Sequence, residues 1–394
     1  MVKMRSLFTL FLFCSLFCSS SFLFSCSGSV KEILSDDSSC KELVADLKSD
    51  EYEEIDKILS IEDYIKLETK ENCFIGTISK LIVTDSEIIV IDKKIANSVY
   101  VFNKDGSFRT KISERGRGPQ EYLVISDVFL INDDKEICIT DFEHERIQVF
   151  DCYGKYLRTI KNTTWFRAME SLDSCTLIAF DECDFMKTGK SFVAIDYSNN
   201  IKYSFGNNIY SSIMTFGRYQ NLYKFYDGVY GTVNFENTIY KFTSDSVYAC
   251  YKISTIPQII NSSKFKDDKQ FLDEENRMGL FNGELINTER FLMFRIHSND
   301  YGDPLFVYDK YSEKITKVKL TLNNPINIFW NFPIACTKKG ECYYAVSASK
   351  AINYKDFLYE TYDDEQLLNK LYSSLSADSN PIICISSFIC KDEK

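Results

Sequence analysis

A chain of 394 residues that is 45% hydrophobic and 15% aromatic can bury a large core and is not a disordered polymer. Its net charge of −11, with no long Lys/Arg block, argues against a nucleic-acid partner, because an acidic surface repels phosphate. With two histidines in all, His144 and His297, a multi-histidine metal centre cannot be assembled, and no metal or other cofactor is expected.

Residues 1–26, MVKMRSLFTLFLFCSLFCSSSFLFSC, open with Lys3 and Arg5 and continue in an apolar run from Leu7 to Phe24. That is the pattern of a secretion signal. An uncleaved anchor is the competing reading, because the run approaches the ~20 apolar residues that cross a bilayer. Interspersed serines and the ending Leu23-Phe24-Ser25-Cys26 favour a bacterial lipobox, in which a small residue precedes the cysteine that is acylated. Phe24 is bulkier than that pattern prefers. Residues 1–25 are therefore expected to be a lipoprotein signal peptide, with Cys26 lipidated and 26–60 a polar tether. Acyl chains on Cys26 would supply the hydrophobic anchors that stable membrane attachment requires. The expected location is the cell envelope, with the outer membrane favoured and the periplasmic or surface face left open.

Removing Cys14, Cys18 and Cys26 from the 14 cysteines leaves an odd number at irregular spacing, without a C-x-x-C pair. Zinc-ribbon and thioredoxin readings fail on that ground. Disulfides stay open in an exported protein, and buried free thiols are the simpler reading.

An internal repeat organises the next stretch. Ile88 to Ile112, IIVIDKKIANSVYVFNKDGSFRTKI, aligns with Ile137 to Ile160, ICITDFEHERIQVFDCYGKYLRTI. Phe102 and Phe150, Gly106 and Gly154, and Ile112 and Ile160 each sit 48 residues apart. Each copy is a strand ending in Asp92 or Asp141, a turn, a strand ending in Val-Phe, a Gly turn and a third strand. Alternating apolar residues between turn signals indicate antiparallel strands. The turn at Lys104-Asp105-Gly106 suits a hairpin because glycine tolerates positive φ. Weaker echoes follow at Phe192 to Asp196, Thr238 to Phe242 and Leu305 to Asp309. A unit of roughly 45–50 residues with about four strands is a propeller blade. Spacing alone leaves six and seven blades open over 73–394, and a β-sandwich ranks second.

Two segments break the strand pattern. Lys264 to Leu280 is highly charged and reads as a helical insertion, and Tyr354 to Leu375 carries apolar residues at largely helical spacing. Asn380-Pro381 would end that helix before a final strand at Ile382 to Ile385. Between the two repeat copies lies Gly116-Arg117-Gly118-Pro119-Gln120-Glu121-Tyr122. It lacks the Lys-Ser/Thr of a P-loop and precedes no helix, so it reads as a crossover between blades. Gly116, Gly118, Pro119 and Tyr122 are its structural members. Arg115, Arg117 and Glu121 are the candidate ligand contacts.

These motifs together resemble the six-bladed β-propeller lipoproteins of Bacteroidetes, which are related in shape to NHL-repeat propellers. The opening strand Leu67-Glu68-Thr69, the seam at 116–122 and the late Asn380-Pro381 carry the likeness, which is strongest over 64–160; Gln120 departs from the usual glycine. The resemblance implies an all-β propeller of six four-stranded antiparallel blades over 61–394, with short helical insertions. It implies no activity.

No nucleophile elbow, H-E-x-x-H or EF-hand loop is present. Asp92 and Asp141 are better read as strand-end residues bonding turn backbone than as a catalytic pair, and His144, flanked by charge, as exposed. The function expected is a ligand-binding or scaffold lipoprotein whose loops hold a glycan, peptide or envelope protein. Trp165 and Phe166, and the stretch Asn327 to Trp330, would suit stacking on such a ligand or packing in the core. A metal-dependent propeller hydrolase, lactonase-like or glycan-cleaving, is the alternative.

Overall fold

The computed structural model describes residues 40–161, 166–181, 186–207, 221–233, 236–258, 280–298, 300–321, 325 and 332–390. Strands dominate because β-branched and aromatic runs can be covered on both faces at once. Glu87–Asp92 is buried throughout, and Ser98–Asn103 nearly so. An outer strand such as Tyr156–Lys161 is largely open to solvent.

Six sheets form six blades, spanning 80–112, 127–161, 168–207, 222–256, 280–319 and 335–388. Strands follow in chain order from the axis outwards. The first strands of blades 2, 3 and 4 touch in turn, as do those of blades 5, 6 and 1. Apolar residues collect into one cluster at each of the six interfaces between neighbouring blades. The sixth cluster settles the ring: Tyr343 and Ile383 of blade 6 pack with Ile88, Val90 and Phe102 of blade 1. The fold is a six-bladed β-propeller.

Closure uses both ends of the chain. Leu59–Lys66 precedes all six blades, yet it pairs antiparallel with Ile382–Phe388 as the outermost strand of blade 6. Asn380 adds a latch. Its amide donates to the carbonyls of Glu68 and Cys73 at 2.8 and 2.7 Å, and its Oδ1 accepts from the Ile75 N–H at 2.9 Å.

Two expectations are corrected here. The stretch 26–60 is not all tether: Lys41–Asp46 pairs in parallel with Val247–Ile256, and Glu53–Glu54 with Lys314–Lys319. Blades 4 and 5 therefore have five strands, the fifth parallel, rather than four antiparallel ones. The cause is an apolar alternation, Leu43, Ala45 and Leu47, which packs on blade 4 despite its charged neighbours.

The turn between third and outer strands repeats as expected, with Gly106 at φ 86° and Gly154 at φ 81°. A Cβ at Gly106 would also lie 2.3 Å from the Lys66 carbonyl oxygen, so blade 1 crosses blade 6 there only because the residue is glycine. The helical region is three short helices, Ala348–Asn353, Lys355–Thr361 and Glu365–Tyr372, inserted in blade 6. They bury Leu358, Leu368 and Leu371 against it. The chain leaves the helix at Tyr372, before Asn380-Pro381. Residues 264–279 lie outside the described residues, and Leu280 begins the first strand of blade 5.

Candidate functional site

Strand direction sorts the loops into two ends. Hairpin turns near 84–86, 104–107, 132–135 and 337–340 lie at one end, and the crossovers between blades lie at the other. An axial cavity of about 1440 Å³ runs along blade 1 from Ser79 to Glu87. Tyr223, Lys224, Glu284 and Arg295 contribute to its wall, and Asp85, Asp133, Tyr226 and Lys338 to its rim at the hairpin end. The Lys338 ammonium lies 5.8 Å from the centre of the Tyr226 ring, which is 41% exposed. An aromatic face and charges of both signs thus meet at the mouth.

Deeper in, inner strands of neighbouring blades hold an ion chain. Lys80 Nζ lies 2.8 Å from Glu170 Oε1 and 3.4 Å from Asp127, and it donates to the Val128 carbonyl at 2.8 Å. Lys93 reaches Asp127 at 3.0 Å, and Lys224 donates to the Ser171 carbonyl at 2.8 Å. Burial alone would push the Asp127 carboxyl up, but Lys80 and Lys93 hold it below its ordinary value. Burial dominates at Glu170 and raises it despite Lys80. Burial works against the Lys80 ammonium, yet the two carboxylates outweigh it and raise its pKa. On blade 5, Arg295 and Glu284 pair at 3.1 Å, and burial pushes Glu284 up. Among the described residues, no three His, Cys, Asp or Glu side chains are grouped to hold a metal ion.

None of the candidate ligand contacts read from the sequence lines this cavity. Arg115, Arg117 and Glu121 sit at the crossover end. Arg115 and Arg117 are exposed, whereas Glu121 is half-buried and its carboxylate accepts from the Gly118 N–H at 2.6 Å. Tyr122 is fully buried, its hydroxyl 2.9 Å from the carbonyls of Asn97 and Ile112. From blade 2, Arg146 and Gln148 donate to the carbonyls of Gly118, Pro119 and Glu121. Neither Gly116 nor Gly118 has positive φ. What the glycines provide is room: a Cβ on Gly116 would lie 2.1 Å from Glu121 Oε2, and one on Gly118 2.9 Å from it. Gly116→Val is therefore expected to lower stability by about 1–2 kcal/mol through loss of the Glu121 contact. In a Glu121→Ala background the same change should cost much less, as a double-mutant cycle of denaturant unfolding would register.

Asp92 accepts from the N–H groups of Gly76, Thr77 and Ile95, and Asp141 from that of Leu123, so both pin loop backbone. His144 is half-buried rather than exposed, because its Nδ1 lies 2.7 Å from Asp141. Cys73, Cys138, Cys342 and Cys384 are buried free thiols. Residues 1–39, with Cys26 and the expected signal, lie outside the described residues, as do Trp165 and 327–330. Phe166 is buried in the core between blades 2 and 3. Among the described residues, no helix is long and apolar enough to cross a membrane.

Ring closure, six blade interfaces and a lined axial cavity define the class, a six-bladed propeller with a central chamber. The chain belongs to the family described as Domain of unknown function (DUF4934), whose pattern matches residues 44–387. In fold it is similar to a protein of Bacteroides fragilis described as exported, with 18% identity and a TM-score of 0.70. That likeness covers 89% of this chain and 100% of the other. A member of the DUF4221 family from Bacteroides vulgatus is similar at 11% identity and TM-score 0.50, covering 87% and 100%. No curated protein matches the chain.

Proposed function

We propose that this protein is a binding propeller of the cell envelope, lipidated at Cys26, that takes its ligand at the hairpin-end mouth of the axial cavity. The observation that carries the reading is the cavity itself. It exceeds the roughly 300–1,000 Å³ of ordinary ligand pockets, so a peptide segment or an oligosaccharide fits it better than a small metabolite. Tyr226 offers a ring to stack on, and Asp85, Asp133 and Lys338 offer polar contacts around it. The Bacteroides fragilis protein of similar fold is described as exported, which accords with the signal read at 1–26.

Two measurements test the two halves of the proposal. Clickable fatty acid should label the wild-type protein and not Cys26→Ala, and equal labelling would remove the lipid anchor. For the cavity, soluble oligosaccharides and peptides are screened by the shift they cause in the unfolding midpoint. A ligand present at 100 times its dissociation constant stabilises by about 2.7 kcal/mol. The shift should vanish when exposed Tyr226 and Lys338 are both changed to Ala. Equal shifts in both proteins would place the ligand elsewhere.

A further inference from the structure

A second cleft, of about 440 Å³, opens between blades 4 and 5. Tyr230, Tyr248 and Tyr251 line it from blade 4, and Tyr308 and Lys310 from blade 5. Three lysines border it, and two have carboxylate partners: Lys41 pairs with Glu313 at 2.9 Å and Lys241 with Asp227 at 2.6 Å. Lys310 differs. Its Nζ donates to Asn287 Oδ1 at 2.6 Å and to the Thr288 carbonyl, both neutral, and it makes no ion pair among the described residues. An ammonium has three N–H donors, so one remains for a ligand. A half-buried cation with only neutral acceptors is incompletely compensated, and an anion would complete it.

We propose that this cleft binds a small ring-bearing anion, whose carboxylate or phosphate pairs with Lys310 and whose ring lies against the tyrosines. The site is separate from the axial cavity and stands or falls without it. The volume is that of a small-molecule pocket, and tyrosine offers both an apolar face and a hydroxyl. Burial pulls Lys310 down to about 8, against the opposing pull of the nearby Asp227 carboxylate and with a smaller push from the Lys241 ammonium. Binding should therefore be full below that pH and fade as the ammonium loses its proton. The neighbouring groups that burial or pairing shifts, Tyr248 among them, all move away from that pH. Cys250 and Cys336 are each pushed up to about 12 by burial, Tyr230 and Tyr251 are raised, and the Asp227 carboxyl is held low by Lys241 and Tyr230 against its burial. Lys41 is raised by its bond to Glu313.

Calorimetric titration of the full-length protein with glucuronate, glucose and inorganic phosphate tests the site. Glucuronate should bind at about pH 7 and at least about tenfold more weakly at about pH 9.5, where its own charge is unchanged. Lys310→Met should weaken it by a similar factor, and glucose should not bind. Tighter binding of glucuronate than phosphate assigns a sugar acid, and the reverse assigns a phosphoryl group. The proposal is overturned if neither anion binds at millimolar concentration, if glucose binds as well as glucuronate, or if glucuronate affinity is the same at both pH values. Should Lys310→Met fail to fold, the pH comparison on the wild type decides.

Discussion

Lys80→Met is expected to lose about 3–5 kcal/mol of stability near neutral pH, measured by denaturant unfolding. The side chains of Lys80, Asp127 and Glu170 are at most 11% exposed, so deleting the cation leaves two buried carboxylates with only Lys93 at Asp127 and the more distant Lys224 near Glu170 to balance them. The loss should depend on pH with a definite sign. In the wild type, Asp127 has a depressed pKa, so its contribution is present above the unfolded value and is lost as pH falls through the folded one. Without Lys80 both carboxyls move up. A raised carboxyl costs nothing below its unfolded pKa; the cost grows as pH rises from that value towards the folded one and is constant above it. The deficit of the variant should thus be smaller at about pH 5 than at about pH 7.5. An equal deficit at both pH values would mean that Lys80 acts by packing, and no deficit would mean that the chain contributes nothing.

Much of the fold was legible because its devices recur. Asp92 and Asp141 end equivalent strands, and Gly106 and Gly154 turn equivalent hairpins, so alignment of two segments exposes a blade. The count of six was legible only through family likeness, because units of unequal length leave the arithmetic open. Lys41–Asp46 was missed because its alternation is short and framed by charge; the partner it completes is about 200 residues away. The axial site was missed for a related reason. Lys80 lies 47 residues from Asp127 and 90 from Glu170, and each looks locally like a solvated charge. The available signal was a charge recurring at the inner strand of successive blades, which becomes meaningful only once inner strands are known to face one axis. The seam was conspicuous in sequence because glycine and proline stand out. Its conspicuous residues turn out to bond to one another, Gly118 to Glu121 and Gly116 to Tyr122, and the arginines beside them lie at the end away from the cavity mouth.

Asn380→Ala is expected to cost about 3–5 kcal/mol, since it leaves the carbonyls of Glu68 and Cys73 and the N–H of Ile75 without their buried partner. The position carries more than three hydrogen bonds. A ring of blades has no covalent closure, so blade 6 must be held to blade 1 by contacts between segments more than 300 residues apart. The backbone N–H of Asn380 also donates to Thr69 Oγ1 at 2.8 Å, which fixes the side chain before it reaches the carbonyls. Asn380→Asp keeps the acceptor for Ile75 but turns both donors into an oxygen facing two carbonyls, and it should be at least as damaging at neutral pH. Because the lost contacts sit at the seam of the ring, opening should begin there rather than across the sheets. Limited proteolysis of Asn380→Ala should therefore cut first within 67–79, under conditions where wild type resists. Cleavage spread evenly over the blades, or an unchanged unfolding midpoint, would show that the antiparallel pairing of Leu59–Lys66 with Ile382–Phe388 closes the propeller without the latch.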